Sequence, residues 1–136
     1  MPGARKETTP VAIENPIYVG RVAELGDYTV VFETIREDLD TAPIFKGLPD
    51  DRCPCPHWCV VTEGRITLRY RDREETFEAG DAFYTPPGHL PLAAPGTELI
   101  TFSPTAELAK VNVVIGKNQA KLAASLGLSS AGPEKH

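Results

Sequence analysis

The chain has 136 residues, enough for one domain around one core, and its 41% hydrophobic and 24% charged shares are those of a folded globular protein. A net charge of −5 excludes a general nucleic-acid or anionic-membrane surface, because phosphate binding needs clustered Lys and Arg. No run of about 18 apolar residues is present, so no helix is expected to span a membrane.

Thirteen prolines and eleven glycines are spread along the chain and cut it into many short segments, the pattern of an all-β domain with frequent turns. Residues 1–12 are polar and expected to form a flexible tail. Ile17 to Val22 and Tyr28 to Ile35 are rich in β-formers and separated by Glu24-Leu25-Gly26-Asp27, a plausible hairpin turn. A long connection through Pro43, Gly47 and Pro49-Asp50-Asp51 follows, and connections of that length usually do something. Trp58 to Glu63 and Arg65 to Arg71 then flank Gly64 and predict a hairpin. In the second of these strands Ile66, Leu68 and Tyr70 alternate with polar residues, giving one buried and one wet face. Thr76-Phe77-Glu78, Ala82 to Thr85, His89 to Ala93 and Glu98 to Ser103 complete the strands, the last two expected to pair across Ala94-Pro95-Gly96. After Pro104 the period changes. Leu108, Val111, Val114 or Ile115, and Leu122 recur at three and four, predicting one amphipathic helix from 105 to about 126, with Thr105 as its cap.

Three cysteines fall within Cys53-Pro54-Cys55-Pro56-His57-Trp58-Cys59, an odd and crowded set that makes a poor disulfide framework. In a reducing compartment such a cluster reads as metal-binding or catalytic. Together with an N-terminus lacking an apolar leader stretch, this predicts a cytoplasmic location. Alternation puts Cys53, Cys55, His57 and Cys59 on one face of an extended chain. Neighbours two apart lie about 6.6 Å from each other along a strand and neighbours four apart about 13 Å, so geometry favours Cys55 over Cys53 as the partner of His57. Pro54 and Pro56 cannot donate to a sheet, so the parity is firm only from His57 onward, and Cys53 stays a candidate. His89 begins a strand after the break Pro86-Pro87-Gly88, well placed to look inward. A thiolate with two imidazoles suits Zn²⁺ and leaves a fourth position for water or substrate. Cys59 reads instead as a small buried hydrophobe, His136 as part of a polar tail, and the acid pairs Asp50-Asp51 and Glu74-Glu75 as solvated turns. Trp58 has the opposite parity to His57 and is expected outside the barrel or at a subunit interface. One of Phe83 and Tyr84 must point inward. No phosphate-cradling glycine loop and no informative Ser-His-Asp spacing occur.

The run from Cys53 to Phe102, about a third of the chain, resembles the cupins, small jelly-roll barrels that commonly hold one divalent metal. Gly80-Asp81-Ala82-Phe83-Tyr84-Thr85-Pro86-Pro87-Gly88 is similar to the second cupin motif, a glycine, five residues, then proline, any residue and glycine, and Gly64 matches the glycine closing the first. The usual metal-binding residues are absent from their places. His57 stands where the family has its glutamate, Asp51 and Cys53 where it has a histidine pair, and Pro91 where it has the second-motif histidine. His89 lies two residues before that position, a shift that keeps strand parity.

The resemblance implies an all-β cupin-type jelly-roll barrel over residues 13–104, with an N-terminal strand extension and, over 105–136, a C-terminal helix and polar tail. It implies a homodimer as well. With the usual ligands displaced, the site is either a lost metal centre or, the favoured reading, one rebuilt from Cys55, His57 and His89, with Cys53 as a further candidate, holding zinc in the first place and iron, nickel or manganese as alternatives. The leading functional expectation is a metal-dependent enzyme acting on a small molecule in the barrel. The alternative is a non-catalytic module that binds or senses a metal or small ligand. No catalytic acid or base is identifiable; Glu63 and Tyr84 are near the site in sequence only.

Overall fold

In a computed structural model of the chain, residues 3–125 are described, their side chains as far as 121. The strands are β1 (Val11–Glu14), β2 (Tyr18–Leu25), β3 (Tyr28–Ile35), β4 (Leu39–Asp40), β5 (His57–Glu63), β6 (Arg65–Arg69), β7 (Glu74–Glu78), β8 (Ala82–Thr85), β9 (Leu90–Ala93) and β10 (Glu98–Pro104), followed by α1 (Thr105–Ser125). They form a six-stranded sheet in the order β1-β2-β3-β10-β5-β8 and a four-stranded sheet in the order β4-β9-β6-β7. The architecture is the all-β jelly roll with a C-terminal helix that the sequence predicts. Val61 and Leu99 of the large sheet meet Ile66 and Leu68 of the small one, with Tyr70 just beyond β6, in a buried cluster.

Alternation decides the faces. On β6, Ile66 and Leu68 point into the core while Arg65 and Arg69 face water, as period-two patterning requires. Phe83 turns inward and stacks on Phe77 with ring centroids 4.1 Å apart, leaving Tyr84 outside. Trp58 is outside too.

Two expected hairpins are corners instead. β5 and β6 belong to different sheets, and so do β9 and β10. At Gly64 (φ 74°) the chain leaves the large sheet, and Thr97 packs so close that a Cβ on Gly64 would lie 2.8 Å from its Cα. The Thr97 hydroxyl accepts from Arg65 N–H at 3.3 Å and donates to Arg65 O at 3.0 Å, tying the two corners together. Strand-turn-strand patterning looks the same for a hairpin and for a corner, so the sequence alone favoured the commoner one.

The segment up to residue 12, expected as a loose tail, carries a 3-10 turn at Lys6–Thr8, and Val11 and Ala12 already belong to β1. Lys6 pairs with Glu98 at 2.6 Å and Thr9 is buried.

Helix α1 packs Val111, with Leu108, Val114 and Ile115 around it, against Phe45, Leu48, Cys53 and Cys55. The apolar stripe therefore faces the connection before β5. Asn118 fastens that connection by donating to Ile44 O at 2.8 Å and Lys46 O at 2.7 Å. Thr105 does not cap the helix as expected. Its hydroxyl pairs with that of Thr29 at 2.8 Å, and its N–H donates to Asp27 O, so it anchors α1 to the β2–β3 turn. The Leu122 side chain and the polar tail with His136 lie outside the described residues.

Candidate metal centre

The site is assembled where β5, β9 and the segment before β5 meet. Asp50 and Asp51 adopt left-handed backbone (φ 56° and 55°), a conformation short polar residues tolerate, and the Asp51 carboxylate accepts from Gly47 N–H at 2.8 Å. This turn delivers Cys53 beside His89. Cys53 N–H donates to His89 O at 3.0 Å and Gly88 N–H donates to Cys53 O at 2.8 Å, an isolated antiparallel bridge.

Cys53, His57 and His89 each contribute one potential ligand atom, and the three atoms lie within 4.8 Å of one another. The Cys53 sulfur is 3.7 Å from His57 Nε2, and the two imidazole rings meet edge to face with centroids 4.9 Å apart. Cys53 and His89 are buried and His57 is half-buried.

Each ring is held by its other nitrogen. His89 Nδ1 lies 2.8 Å from Pro86 O, a carbonyl that can only accept, so Nδ1 carries the proton. That leaves His89 Nε2 as a bare lone pair, fully buried and without any hydrogen-bond partner. His57 Nδ1 lies 2.6 Å from the Ser103 hydroxyl. An orphaned buried acceptor is costly unless something occupies it. Among the described residues this donor set fits one borderline-soft divalent ion.

The electrostatics of the metal-free chain agree. Burial, with the neighbouring His89 adding to it, holds His57 down to about 3. Burial likewise lowers His89 to about 4, against the opposing pull of the Pro86 carbonyl. Both rings are therefore neutral near pH 7, the form that ligates metal. Burial pushes the Cys53 thiol up to about 12, so without an ion it is no nucleophile, and a Cys-His nucleophilic pair is disfavoured.

The cysteine favoured by strand parity, Cys55, does not join this group. It is buried with Phe45, Leu48 and Val111, and its thiol lies 3.4 Å from Pro56 O. The prolines explain the difference: the segment between Cys53 and His57 is not strand, and the pairing of Cys53 with His89 brings a residue four positions from His57 beside it. Cys59 faces inward with Thr85 and Thr101 for neighbours, outside the three-residue group, as a small buried residue. Of the acid pairs, Asp50 meets Arg71 at 3.4 Å and Glu74 meets Arg69 at 2.8 Å, both exposed.

Two polar sets were not singled out by sequence reasoning. One is Ser103. The other is Glu33, whose carboxylate accepts from Tyr18 at 2.7 Å and from Thr101 at 2.5 Å. The available signal was parity: Leu99, Thr101 and Ser103 share the inward face of β10, so two hydroxyls stand at core positions.

No family model matches the chain, and no curated protein matches it in sequence. Solved structures do match in fold. The polyketide cyclase RemF from Streptomyces resistomycificus superposes with a TM-score of 0.55 at 16% identity, over 77% of this chain and 80% of that one. An RmlC-like cupin from Shewanella frigidimarina NCIMB 400 gives 0.52 at 18% identity, over 74% and 88%. KdgF from Halomonas sp. gives 0.51 at 15% identity, over 74% and 90%. Two facing antiparallel sheets and these likenesses together make the fold a cupin-type jelly roll.

Proposed function

We propose that this chain is a metal-binding cupin whose ion is held by Cys53, His57 and His89, with zinc the best match to one sulfur and two nitrogen donors. The observation that carries the reading is the buried, unpartnered Nε2 of His89 in the same small volume as the Cys53 sulfur and a His57 ring nitrogen. Iron, nickel or manganese are the alternatives, of which manganese suits a thiolate least. Cys55 is no longer favoured as a ligand.

Three protein ligands leave a coordination position open, and a metal there would act as Lewis acid or water activator toward a small molecule in the barrel. The likeness to a protein named as a polyketide cyclase supports an enzyme reading only at the level of fold. A second reading, a non-catalytic binding or sensing module, is favoured by a different observation. Cys53 is 2% exposed and His89 0%, with Phe45, Leu48 and Val111 packed over the cysteine side. Half-buried His57 is the most accessible of the three. In either reading the chain is expected to work in the cytoplasm, as a homodimer.

Metal analysis of protein purified without chelator, followed by Co²⁺ titration, tests both readings. One equivalent per chain with thiolate charge-transfer absorption supports the centre, and its absence overturns it. Added azide that alters the Co²⁺ spectrum reports an open position and favours the enzyme. A spectrum indifferent to azide favours the closed module.

A further inference from the structure

Buried hydroxyl groups in this chain find partners as a rule. Among the described residues Thr9, Thr29, Thr41, Thr97, Thr101 and Ser103 are buried, and each of their hydroxyls makes a hydrogen bond. Thr85, 1% exposed, and Tyr70, 7% exposed, break the rule: both hydroxyls are buried with no partner. His89 Nε2 is the third such atom among the described residues. An unpaired buried hydroxyl costs free energy, so a partner from outside the chain is the expected remedy.

The strand register places both hydroxyl residues at the candidate centre. Thr85 on β8 is the cross-strand partner of His57, so the two side chains leave the same face side by side. His89 has Cys53 on the β4 side of β9, where Thr41 N–H donates to Pro91 O and Cys53 N–H donates to His89 O. β6 runs along the other side, with Leu68 opposite Pro91 and Arg69 opposite Leu90. One step further, Tyr70 comes level with His89, and it shares the inward parity of Ile66 and Leu68. Each histidine of the centre thus has an unpartnered hydroxyl residue beside it.

We propose that Thr85 and Tyr70 form an anion-binding wall of the metal centre, their hydroxyls donating to a short-chain carboxylate that takes the open coordination position. This deepens the metal reading of the preceding section and rests on it. A carboxylate offers about four lone-pair sites, enough for one ion and two donors. A divalent ion held by one thiolate and two imidazoles bears one net positive charge, which a singly charged anion cancels. No lysine or arginine is buried among the described residues to balance a second negative charge, so sulfate and phosphate fit poorly. Among the chain's own acids, Glu33 on the inward face already accepts from Tyr18 and Thr101. The three unpartnered atoms are enclosed, which limits the ligand to a few heavy atoms, formate or acetate in size. Val61 and Leu68, which pack with Tyr70, offer its hydrocarbon end an apolar wall.

Thr85→Val and Tyr70→Phe remove the hydroxyls and keep the shapes. The test titrates formate and acetate into Co²⁺-loaded protein and follows the visible spectrum. Wild type is expected to show a saturable change. Each variant should bind one Co²⁺ as before and the carboxylates roughly 10- to 100-fold more weakly, the effect of losing a hydrogen bond to a charged group. Urea midpoints of the metal-free variants should equal or exceed that of wild type, because the group put in place of each hydroxyl needs no partner. Lower midpoints in both variants would show hydroxyls already partnered within the fold and overturn the proposal. Carboxylate affinity unchanged in both variants, or sulfate bound as tightly as acetate, overturns it too. Wild type that takes up one Co²⁺ and no carboxylate sinks this inference alone, whereas wild type that takes up no Co²⁺ sinks the metal reading and this inference with it.

Discussion

Cys53 and His89 are bridged through their backbones, Cys53 N–H to His89 O at 3.0 Å, so their side chains start from adjacent positions on neighbouring segments. Cys55 starts from the far side of a bend and packs under α1. The two cysteines should therefore separate cleanly. Cys53→Ser is expected to abolish stoichiometric Co²⁺ binding, since a hydroxyl is a poor substitute for a thiolate. Cys55→Ala is expected to retain one equivalent while losing about 1 kcal/mol of stability from the buried volume removed. Metal retained in the first variant and lost in the second would reverse the assignment.

Gly64 and Gly80 both have positive φ, 74° and 96°, but only Gly64 is crowded. A Cβ at Gly80 meets nothing within 4 Å, whereas one at Gly64 meets Thr97 Cα and Oγ1 at 2.8 Å each. Gly80→Ala is expected to cost about 1 kcal/mol for backbone conformation alone. Gly64→Ala should cost about 2–3 kcal/mol, because the Thr97 backbone must also move. Urea midpoints of the two variants measure the difference, and equal losses would remove Thr97 from the account.

What the sequence made legible follows from range. Ile66 and Leu68 inward, Trp58 outward and Val111 toward the core all depend on periodicities of two or 3.6 that neighbouring residues impose. The corner at Gly64 depends on Thr97, and the choice of Cys53 over Cys55 depends on His89, both distant in the chain. Pro54 and Pro56 removed the one local rule that bore on the cysteines, as they donate to no ladder. The hydroxyls of Thr101 and Ser103 were legible as an anomaly, polar residues on an inward face, but their hydrogen-bond partners lie on other strands.

Outside the barrel, Trp58 lies between two tyrosines, 5.8 Å from the ring of Tyr28 and 5.2 Å from that of Tyr84. The three are 41%, 41% and 48% exposed, an unusual amount of aromatic surface to leave in water. If the expected homodimer uses this face, sedimentation velocity will give twice the 14.8 kDa chain mass. Trp58→Asp is then expected to sediment as a monomer with an unchanged content of β-structure. A wild-type chain that is monomeric at the concentration used for metal analysis excludes the dimer, and a dimeric Trp58→Asp moves it to another face.

Glu33 supplies a prediction in pH. Tyr18 reaches it by lying across Gly20, where a Cβ would come within 2.9 Å of the ring, and the Glu33 carboxyl group is enclosed although the residue as a whole is only half-buried. Burial raises its pKa from the ordinary carboxylate value, while the hydrogen bonds from Thr101 and Tyr18 pull the other way and do not prevail. The native state thus holds this proton more tightly than the unfolded chain does. Stability from this group is complete below the unfolded value of about 4.3 and declines as pH rises from there to the folded value, because the unfolded chain ionises first. Gln at this position is neutral throughout, can accept from Tyr18 through its oxygen and can donate to the Thr101 hydroxyl through its amide. Urea unfolding of Glu33→Gln and wild type from about pH 4 to about pH 8 should therefore show the difference moving in favour of the variant as pH increases. Other titrating groups, including the two buried histidines, largely cancel in that difference. A difference that moves against Gln with rising pH would mean that the folded carboxylate is ionised and stabilised by its two hydroxyl donors.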